Sequence, residues 1–216
     1  MANNDDFMKV LAKNVTLQYP KLNQCYRFNT QKQASEPCAQ SASNAAWSVS
    51  FNMPKAEAKP IYDAMVQHYE NTRKRNPKLP QFKTVFGMKK LKDDSGNDTG
   101  IIQFSAKRNG MKKDGSPNQA PAVIDGQKQP LADLNIWGGS KGTVRAWAVA
   151  VVDPEGKGGI SLLLDAVQVT EAVYGDGGMD DFDVTDTKPT DPFESKPLAD
   201  EKRQSLAEML GDDIPF

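Results

Sequence analysis

The feature that most constrains the fold is a pair of apolar stretches, residues 142–152 and 160–170, joined by the segment DPEGKGG at residues 153–159. Both stretches are long enough for a strand, and Asp, Pro and Gly favour turns through their backbone preferences and local hydrogen bonds. On the first stretch, alternate positions hold the small residues Ala146 and Ala148. Small residues at such positions are typical of a crowded, curved strand, so we predict a hairpin in a sheet that closes on itself.

Further strands are predicted upstream of this hairpin. Residues 45–53 alternate between apolar and polar side chains, which is the period of a strand with one buried face. Residues 10–19, 84–92 and 99–108 are also predicted strands, the last two being joined by a turn rich in Asp, Asn, Ser and Gly. Residues 31–44 and the basic, Gly- and Pro-containing segment 109–130 are expected to be loops.

One helix is predicted at residues 55–75. There Ile61, Met65, His68 and Thr72 recur at helical spacing, which places them on one face. Because His68 lies on or beside this apolar face, we interpret it as a packed structural residue. Five or six strands, one helix and several long loops indicate a mainly β protein built on a small five-stranded barrel.

The charges divide the chain into two parts. Residues 1–175 carry 23 Lys and Arg against 16 Asp and Glu, a net charge of +7, whereas residues 176–216 carry 4 against 12, a net charge of −8. The second part is also rich in Pro, a composition typical of disorder. We predict a folded domain over residues 1–175 and a flexible acidic tail over residues 176–216. A basic domain favours a polyanionic partner, with which a tethered acidic tail can compete.

The tail ends in two acids followed by an apolar tripeptide: Asp212, Asp213, Ile214, Pro215 and Phe216. A terminal carboxylate, an aromatic ring and adjacent acids together suit a shallow apolar pocket rimmed with Lys or Arg. Acidic ends can also be simple solubilising tails. The order of the residues resembles the C-terminal tip of bacterial single-stranded DNA-binding proteins, a short acidic run followed by Ile-Pro-Phe. This resemblance implies that replication and repair proteins bind the tip.

A second resemblance lies in residues 136–169. Its motifs are Trp137-Gly138-Gly139, Asp153-Pro154, Gly156-Lys157-Gly158-Gly159-Ile160 and Leu164-Asp165-Ala166-Val167-Gln168-Val169. They are similar to a family of bacteriophage proteins regarded as single-stranded DNA-binding. The resemblance extends over most of residues 1–175 and implies an oligonucleotide-binding (OB) fold. It further implies a protein that coats and protects single strands, without sequence specificity, during phage DNA replication, recombination and repair in the bacterial host cytoplasm.

Binding a single strand without reading its sequence requires cations along a groove and aromatic faces on which bases stack. Trp137 stands beside a Gly-Gly-Ser turn, where an exposed indole is expected to have a function. Phe104, Trp47 and Phe51 are alternatives, although Trp47, Phe51 and Trp147 lie on alternating strands and favour a place in the core. The candidate cations flank the predicted strands and the following loop: Lys107, Arg108, Lys112, Lys113, Lys141 and Arg145.

Enzymatic chemistry is not expected. The densest acidic cluster, residues 176–186, lies in the low-complexity part of the chain, where no rigid frame can hold a metal. Gly156-Lys157 lacks the other residues of a P-loop. With one His and two cysteines, Cys25 and Cys38, nucleophilic catalysis has few candidates. The sequence therefore predicts no cofactor and no metal site.

The cysteines are expected to be reduced thiols in a cytoplasmic protein, and no apolar run is long enough to span a membrane. Two alternatives to a protective coat stay open. A single-strand annealing or recombination mediator protein would bind the same ligand, and a protein-interaction module that mimics the host tail would bind no DNA. The sequence leaves the oligomeric state open, including a homo-oligomer.

Overall fold

The computed structural model describes residues 6–175. Within this range the protein is mainly β and has one helix, as predicted. The acidic segment 176–216 lies outside the described residues. The elements in chain order are β1 Phe7–Asn29, β2 Ala34–Pro37, β3 Ala46–Pro54, α1 Lys55–Arg75, β4 Phe82–Val85, β5 Lys89–Lys92, β6 Asp98–Asn109, β7 Ala122–Ile124, β8 Lys141–Val152 and β9 Gly158–Glu171.

Five of these strands form a closed ring in the order β1, β3, β6, β9 and β8, with β8 pairing back to β1. The ring pairs are antiparallel except for β6 and β9, which pair in parallel through Ala106 with Leu162 and Lys107 with Leu163. Counted within the ring, the strands follow the order 1-2-3-5-4, a Greek-key arrangement of the OB type. The predicted five-stranded closed sheet is confirmed.

The core of the ring is built largely from alternate side chains of the strands. On β3, Trp47, Val49, Phe51 and Met53 are all buried. Phe51 stacks on Phe104 of β6 with 5.7 Å between the ring centroids. On β8, Ala146 and Ala148 point inward and are almost fully buried. Their small side chains make room for the large residues of the facing strands, which is why β8 can approach them closely.

Helix α1 has the predicted bounds and closes one end of the ring. Its Tyr69 is fully buried and donates a hydrogen bond of 2.9 Å from its hydroxyl to the backbone oxygen of Pro80. The rings of Tyr69 and Tyr62 meet Phe82 edge-on, with centroid separations of 5.3 and 6.2 Å. Gly158 leaves the space for this packing, since a Cβ there would lie 2.0 Å from the Tyr69 hydroxyl oxygen.

Several sequence predictions about the strands are wrong. Residues 84–92 do not form one strand: β4 pairs in parallel with β9, β5 pairs antiparallel with β6, and Gly87 turns the chain between them with a φ of +80°. Trp147 is 36% exposed on the outer side of β8 and is not a core residue. The predicted loops also contain short strands, β2 within 31–44 and β7 within 109–130.

The two cysteines do not form a disulfide with each other. Cys25 and Cys38 are both free, and the backbone N–H of Cys38 donates to the carbonyl oxygen of Cys25 over 3.0 Å. Burial, followed by the neighbouring Cys38, raises the pKa of the Cys25 thiol. Within residues 6–175, no helix combines the length and the apolarity needed to cross a membrane.

Candidate nucleic-acid interface

A cleft lined by aromatic residues lies at the end of the ring where β8 begins. Tyr19 and Tyr26 of β1 line it together with Trp137, which precedes β8, and the cleft has a volume of about 250 Å³. We call it the aromatic cleft. Tyr19 is 72% exposed and Trp137 is 57% exposed, whereas Tyr26 is half-buried. Because its volume is small for an enclosing pocket, the cleft suits a flat ring that stacks on its walls.

Hydrogen bonds on both sides of Trp137 hold it in place. Its N–H donates to the carbonyl oxygen of Val173 over 2.7 Å, and its own carbonyl oxygen accepts a bond of 2.8 Å from the Ser140 hydroxyl. Ser140 is fully buried and also accepts a bond of 2.9 Å from the N–H of Val173. Gly139 donates to the carbonyl oxygen of Leu17 over 2.9 Å, which ties the segment to β1. The indole is therefore exposed on a rigid support.

Gly175 packs directly against this indole. A Cβ at residue 175 would lie 2.1 Å from both Cε2 and Cζ2 of Trp137. Only a residue without a side chain can pass so close to the ring, so the chain crosses one side of Trp137 just where the described residues end.

Tyr19 and Lys21 lie at an irregularity in β1. The pairing with β3 shifts register between Gln18 and Lys21, and Tyr19 has a φ of +49°, a left-handed conformation that is uncommon for a residue with a side chain. The Lys21 ammonium nitrogen lies 5.4 Å from the centre of the Tyr26 ring, a cation–π contact. Burial lowers the pKa of Lys21 below its ordinary value. The irregularity thus places the Tyr19 ring at the cleft and a cation next to Tyr26, which also lines the cleft.

The outer face of β3 and β6, next to β1 in the ring, carries polar side chains. The hydroxyls of Ser50 and Ser105 are 2.7 Å apart, and the Gln103 amide donates to the side-chain oxygen of Asn52 over 2.9 Å. β3 and β6 are the second and third strands of the ring. In OB folds this is the face on which oligonucleotides bind.

Two of the candidate cations are held by one carboxylate. Arg145 of β8 donates from Nε to Asp165 of β9, and an Arg108 guanidinium nitrogen lies 3.9 Å from the other oxygen of that carboxylate. Arg108 is about one quarter exposed, and its Nε is buried without a hydrogen-bond partner in the structure. These two arginines are therefore brought together, but their charge is partly neutralised by Asp165.

The four candidate lysines lie apart. Lys107 is exposed on the outer face of β6, and Lys112 and Lys113 are exposed in the turn that follows β6. Lys141 forms an ion pair of 2.8 Å with Glu171. The predicted cations thus form no single cluster but are spread over one end and one side of the ring.

Two of the candidate aromatics, Trp47 and Phe104, lie inside the ring. Their exposed fractions are 5% and 1%, and Phe104 stacks on Phe51 rather than facing solvent. Neither ring can stack on a base in this arrangement, because both face the core side of alternating strands. The tip residues Asp212, Asp213, Ile214, Pro215 and Phe216 lie outside the described residues.

Sequence reasoning missed Tyr19, Tyr26 and Lys21. A signal was present at Tyr19-Pro20, because proline interrupts a strand and an aromatic residue beside such a break is free to leave the core. No pattern in the sequence predicted that these residues lie close to Trp137. Within residues 6–175, no group of three or more His, Cys, Asp or Glu is placed to hold a metal ion.

Three solved structures with a similar fold come from bacteriophages. The single-stranded DNA-binding protein from bacteriophage Enc34 in complex with ssDNA aligns with a TM-score of 0.55 and 16% identity, covering 82% of this chain and 97% of that chain. The gp2.5 single-stranded DNA-binding protein encoded by bacteriophage T7 aligns with a TM-score of 0.53 and 14% identity, covering 86% of this chain and all 100% of that chain. A C-terminal truncation of the Enc34 protein gives a TM-score of 0.52 at 16% identity, with 79% of this chain and 92% of that chain covered.

These similarities establish the fold, which is the one that the resemblance to bacteriophage single-stranded DNA-binding proteins implied. No protein-family model matches the chain, and no curated protein matches it in sequence.

Proposed function

We propose that this protein binds single-stranded DNA without sequence specificity and that bases stack in the aromatic cleft. The observation that carries the proposal is the exposure of Trp137 and Tyr19 around one cleft, beside the polar outer face of β3 and β6. Aromatic residues exposed together around one cleft, unlike single exposed ones, are typical of a ligand-binding surface. Stacking accepts any base, since every base has a π face, whereas sequence readout needs a larger set of directed hydrogen bonds.

The charge of the domain supports the same ligand. Residues 1–175 carry a net charge of +7, which favours a polyanion and predicts affinity that falls as salt rises. Lys21 adds a cation beside the Tyr26 ring, where it can meet a phosphate next to a stacked base. One structural neighbour was solved with ssDNA bound, which supports this ligand for the shared fold.

We extend the proposal to the biological role. The protein coats and protects single strands during phage DNA replication, recombination and repair in the cytoplasm of a bacterial host, and it has no catalytic activity of its own. Its C-terminal tip, Asp212 to Phe216, recruits replication and repair proteins through the acidic residues and the terminal aromatic ring. When no DNA is bound, the acidic tail competes for the basic surface.

The test is a fluorescence titration of labelled oligo-dT with the full chain and with a chain ending at Gly175, at several salt concentrations. We expect binding with a negative slope of log K against log salt, similar affinity for mixed-sequence oligonucleotides, and tighter binding by the shortened chain. If neither the full chain nor the shortened chain binds oligo-dT at low salt, the proposal is overturned. A separate pull-down with a chain that ends at Pro215 tests whether partner binding needs Phe216.

A further inference from the structure

The outer side of β8 and its neighbours carries an apolar patch that the aromatic cleft does not include. Trp147 is 36% exposed, Leu163 of β9 is 39% exposed and Leu11 of β1 is 43% exposed. Leu163 pairs directly with Trp147 in the antiparallel register of β8 and β9, so the two side chains are neighbours on one face. Trp147 thus lies outside the core and is exposed, as Trp137 is.

The strand registers join this patch to the aromatic cleft. A single row of cross-strand neighbours runs around the outside of the ring, perpendicular to the strands, and consists of Lys21, Ser48, Lys107, Leu163, Trp147 and Lys9. Lys21, at one end, is the lysine beside the Tyr26 ring of the cleft. The row crosses the β3 and β6 face at Ser48 and Lys107.

The row carries positive charges, from its lysines, that can contact the phosphates of a DNA strand. Among the ion pairs of residues 6–175, none involves Lys9 or Lys107, so both charges are available to a ligand. Beyond Trp147, Lys9 lines an open cleft together with His68 and Lys74 of α1. Lysines on both sides of an exposed indole complement a single strand, which needs cations for its phosphates and a ring for its bases.

We propose that single-stranded DNA continues from the aromatic cleft along this row and stacks a second base on Trp147. The inference rests on the proposed function and extends it to the path of the strand. Four inter-strand steps of about 4.8 Å lead from Lys21 around the ring to Trp147, a path of about 19 Å along the backbones. At about 3.4 Å per stacked nucleotide this corresponds to roughly six nucleotides, which lies within the range for one OB fold.

Oligonucleotide length separates the two stacking positions. A dT4 oligonucleotide fills only the cleft, whereas dT12 also reaches Trp147. With the full chain, we expect Trp147→Ala to weaken dT12 binding about 5- to 150-fold and to leave dT4 binding unchanged. Trp137→Ala should weaken the binding of both oligonucleotides. Val152→Ala is the matched control, because it removes an exposed apolar side chain from the same strand outside the row.

A second pair of measurements does not depend on the stability of the alanine variant. In a Trp137→Phe chain, dT12 but not dT4 should quench the fluorescence of Trp147, since Trp47 is buried. Lys107→Gln should reduce the salt slope for dT12 by about one unit. If Trp147→Ala does not fold, the quenching of Trp147 and the salt slope of Lys107→Gln test the path instead. Absence of both effects would overturn it.

Several results would overturn the path. Equal dT12 affinity in Trp147→Ala and wild type, with Trp137→Ala still impaired, would refute the second stacking position and leave the proposed function intact. A change of molecular mass in Trp147→Ala with unchanged dT12 binding would identify the patch as a contact between copies of the chain. If the wild type binds neither oligonucleotide at low salt, the proposed function itself fails.

Discussion

The two ends of the ring hold aromatic residues in opposite ways. β3 and β8 run in the same direction, since both are antiparallel to β1; α1 follows the end of β3, whereas Trp137 precedes the start of β8. At the end closed by α1, Tyr69 is fully buried and its hydroxyl is hydrogen-bonded. At the other end, Tyr19 and Trp137 expose more than half of their surface. One end uses aromatic rings for packing and the other presents them.

This difference shows how a ring packed within the fold differs from a ring left exposed on it. Tyr69 has ring partners on neighbouring elements and a hydroxyl acceptor, so each of its groups is satisfied within the fold. Trp137 has its backbone fixed by Val173 and Ser140 while its indole is left in water. A rigid support beneath an exposed ring reduces the entropy lost on binding, which favours stacking of a ligand.

Removing a ring from the closed end should have the largest effect. We expect Tyr69→Ala to lower the free energy of unfolding by about 3 to 5 kcal/mol, because it removes a buried ring and leaves a cavity. The folded fraction should bind oligo-dT as the wild type does. Chemical denaturation and oligo-dT titration measure the two quantities. If the protein does not fold, Tyr69→Phe should fold and lose about 1 kcal/mol through the missing hydrogen bond. A loss of affinity without a loss of stability would contradict the comparison.

Removing a ring from the open end should lower the affinity for DNA and leave the stability of the fold nearly unchanged. Trp137→Ala should weaken oligo-dT binding about 5- to 150-fold, which is about 1 to 3 kcal/mol, and should change the unfolding free energy by less than about 1 kcal/mol. Trp137→Phe keeps a stacking ring and should retain most of the affinity. Unchanged binding by Trp137→Ala would remove the aromatic cleft from the interface.

A matched pair of glycine substitutions sharpens the contrast. A Cβ at Gly158 would meet the Tyr69 hydroxyl, and a Cβ at Gly175 would meet the Trp137 indole. β9 is paired on both sides at Gly158, so Gly158→Ala should cost about 1 to 3 kcal/mol of stability and leave affinity unchanged. Gly175→Ala should shift the indole and weaken oligo-dT binding with little change in stability. Thermal unfolding measures the stability of both variants, and oligo-dT titration measures their affinity. Equal changes in both quantities for the two substitutions would contradict the separate roles of the two ends.

The smallest expected effect concerns charge at the open end. Lys21→Gln removes the cation beside Tyr26, so the salt slope of oligo-dT binding should fall by about one unit. The same substitution at Lys59, which lies on α1 and pairs with Asp63, should leave the slope unchanged. Affinity measured at four or more salt concentrations distinguishes these outcomes. An equal slope in Lys21→Gln and wild type would exclude a phosphate contact at Lys21.

Much of the fold follows from local patterns. The alternation over residues 45–53 and the helical spacing over residues 55–75 gave β3 and α1 almost to the residue. The pattern was ambiguous on β8, because both sides of that strand are apolar: Ala146 and Ala148 alternate with Trp147 and Val149. A period of two cannot choose between two apolar faces, and the crowded interior accepts the small residues. Trp147 was therefore assigned to the wrong side.

The candidate site was less accessible to sequence reasoning. The Gly-Gly-Ser neighbours of Trp137 predicted its exposure, but its proximity to Tyr19 depends on bonds such as that from Gly139 to Leu17, which joins residues 122 positions apart. The pairing of Arg108 and Arg145 with Asp165 also arises only when β6, β8 and β9 meet in the ring. Such contacts come from topology, which local composition does not encode.

The most direct test uses the three tryptophans as internal probes in one sample. Each indole N–H gives a separate signal in a ¹⁵N–¹H spectrum of labelled protein, and each can be assigned by single Trp→Phe substitutions. On addition of dT4, we expect a shift of the Trp137 signal and no shift of the Trp47 signal, because Trp137 is exposed at the aromatic cleft and Trp47 is buried in the core. A Trp137 signal that stays in place while dT4 binds would contradict base stacking in the aromatic cleft.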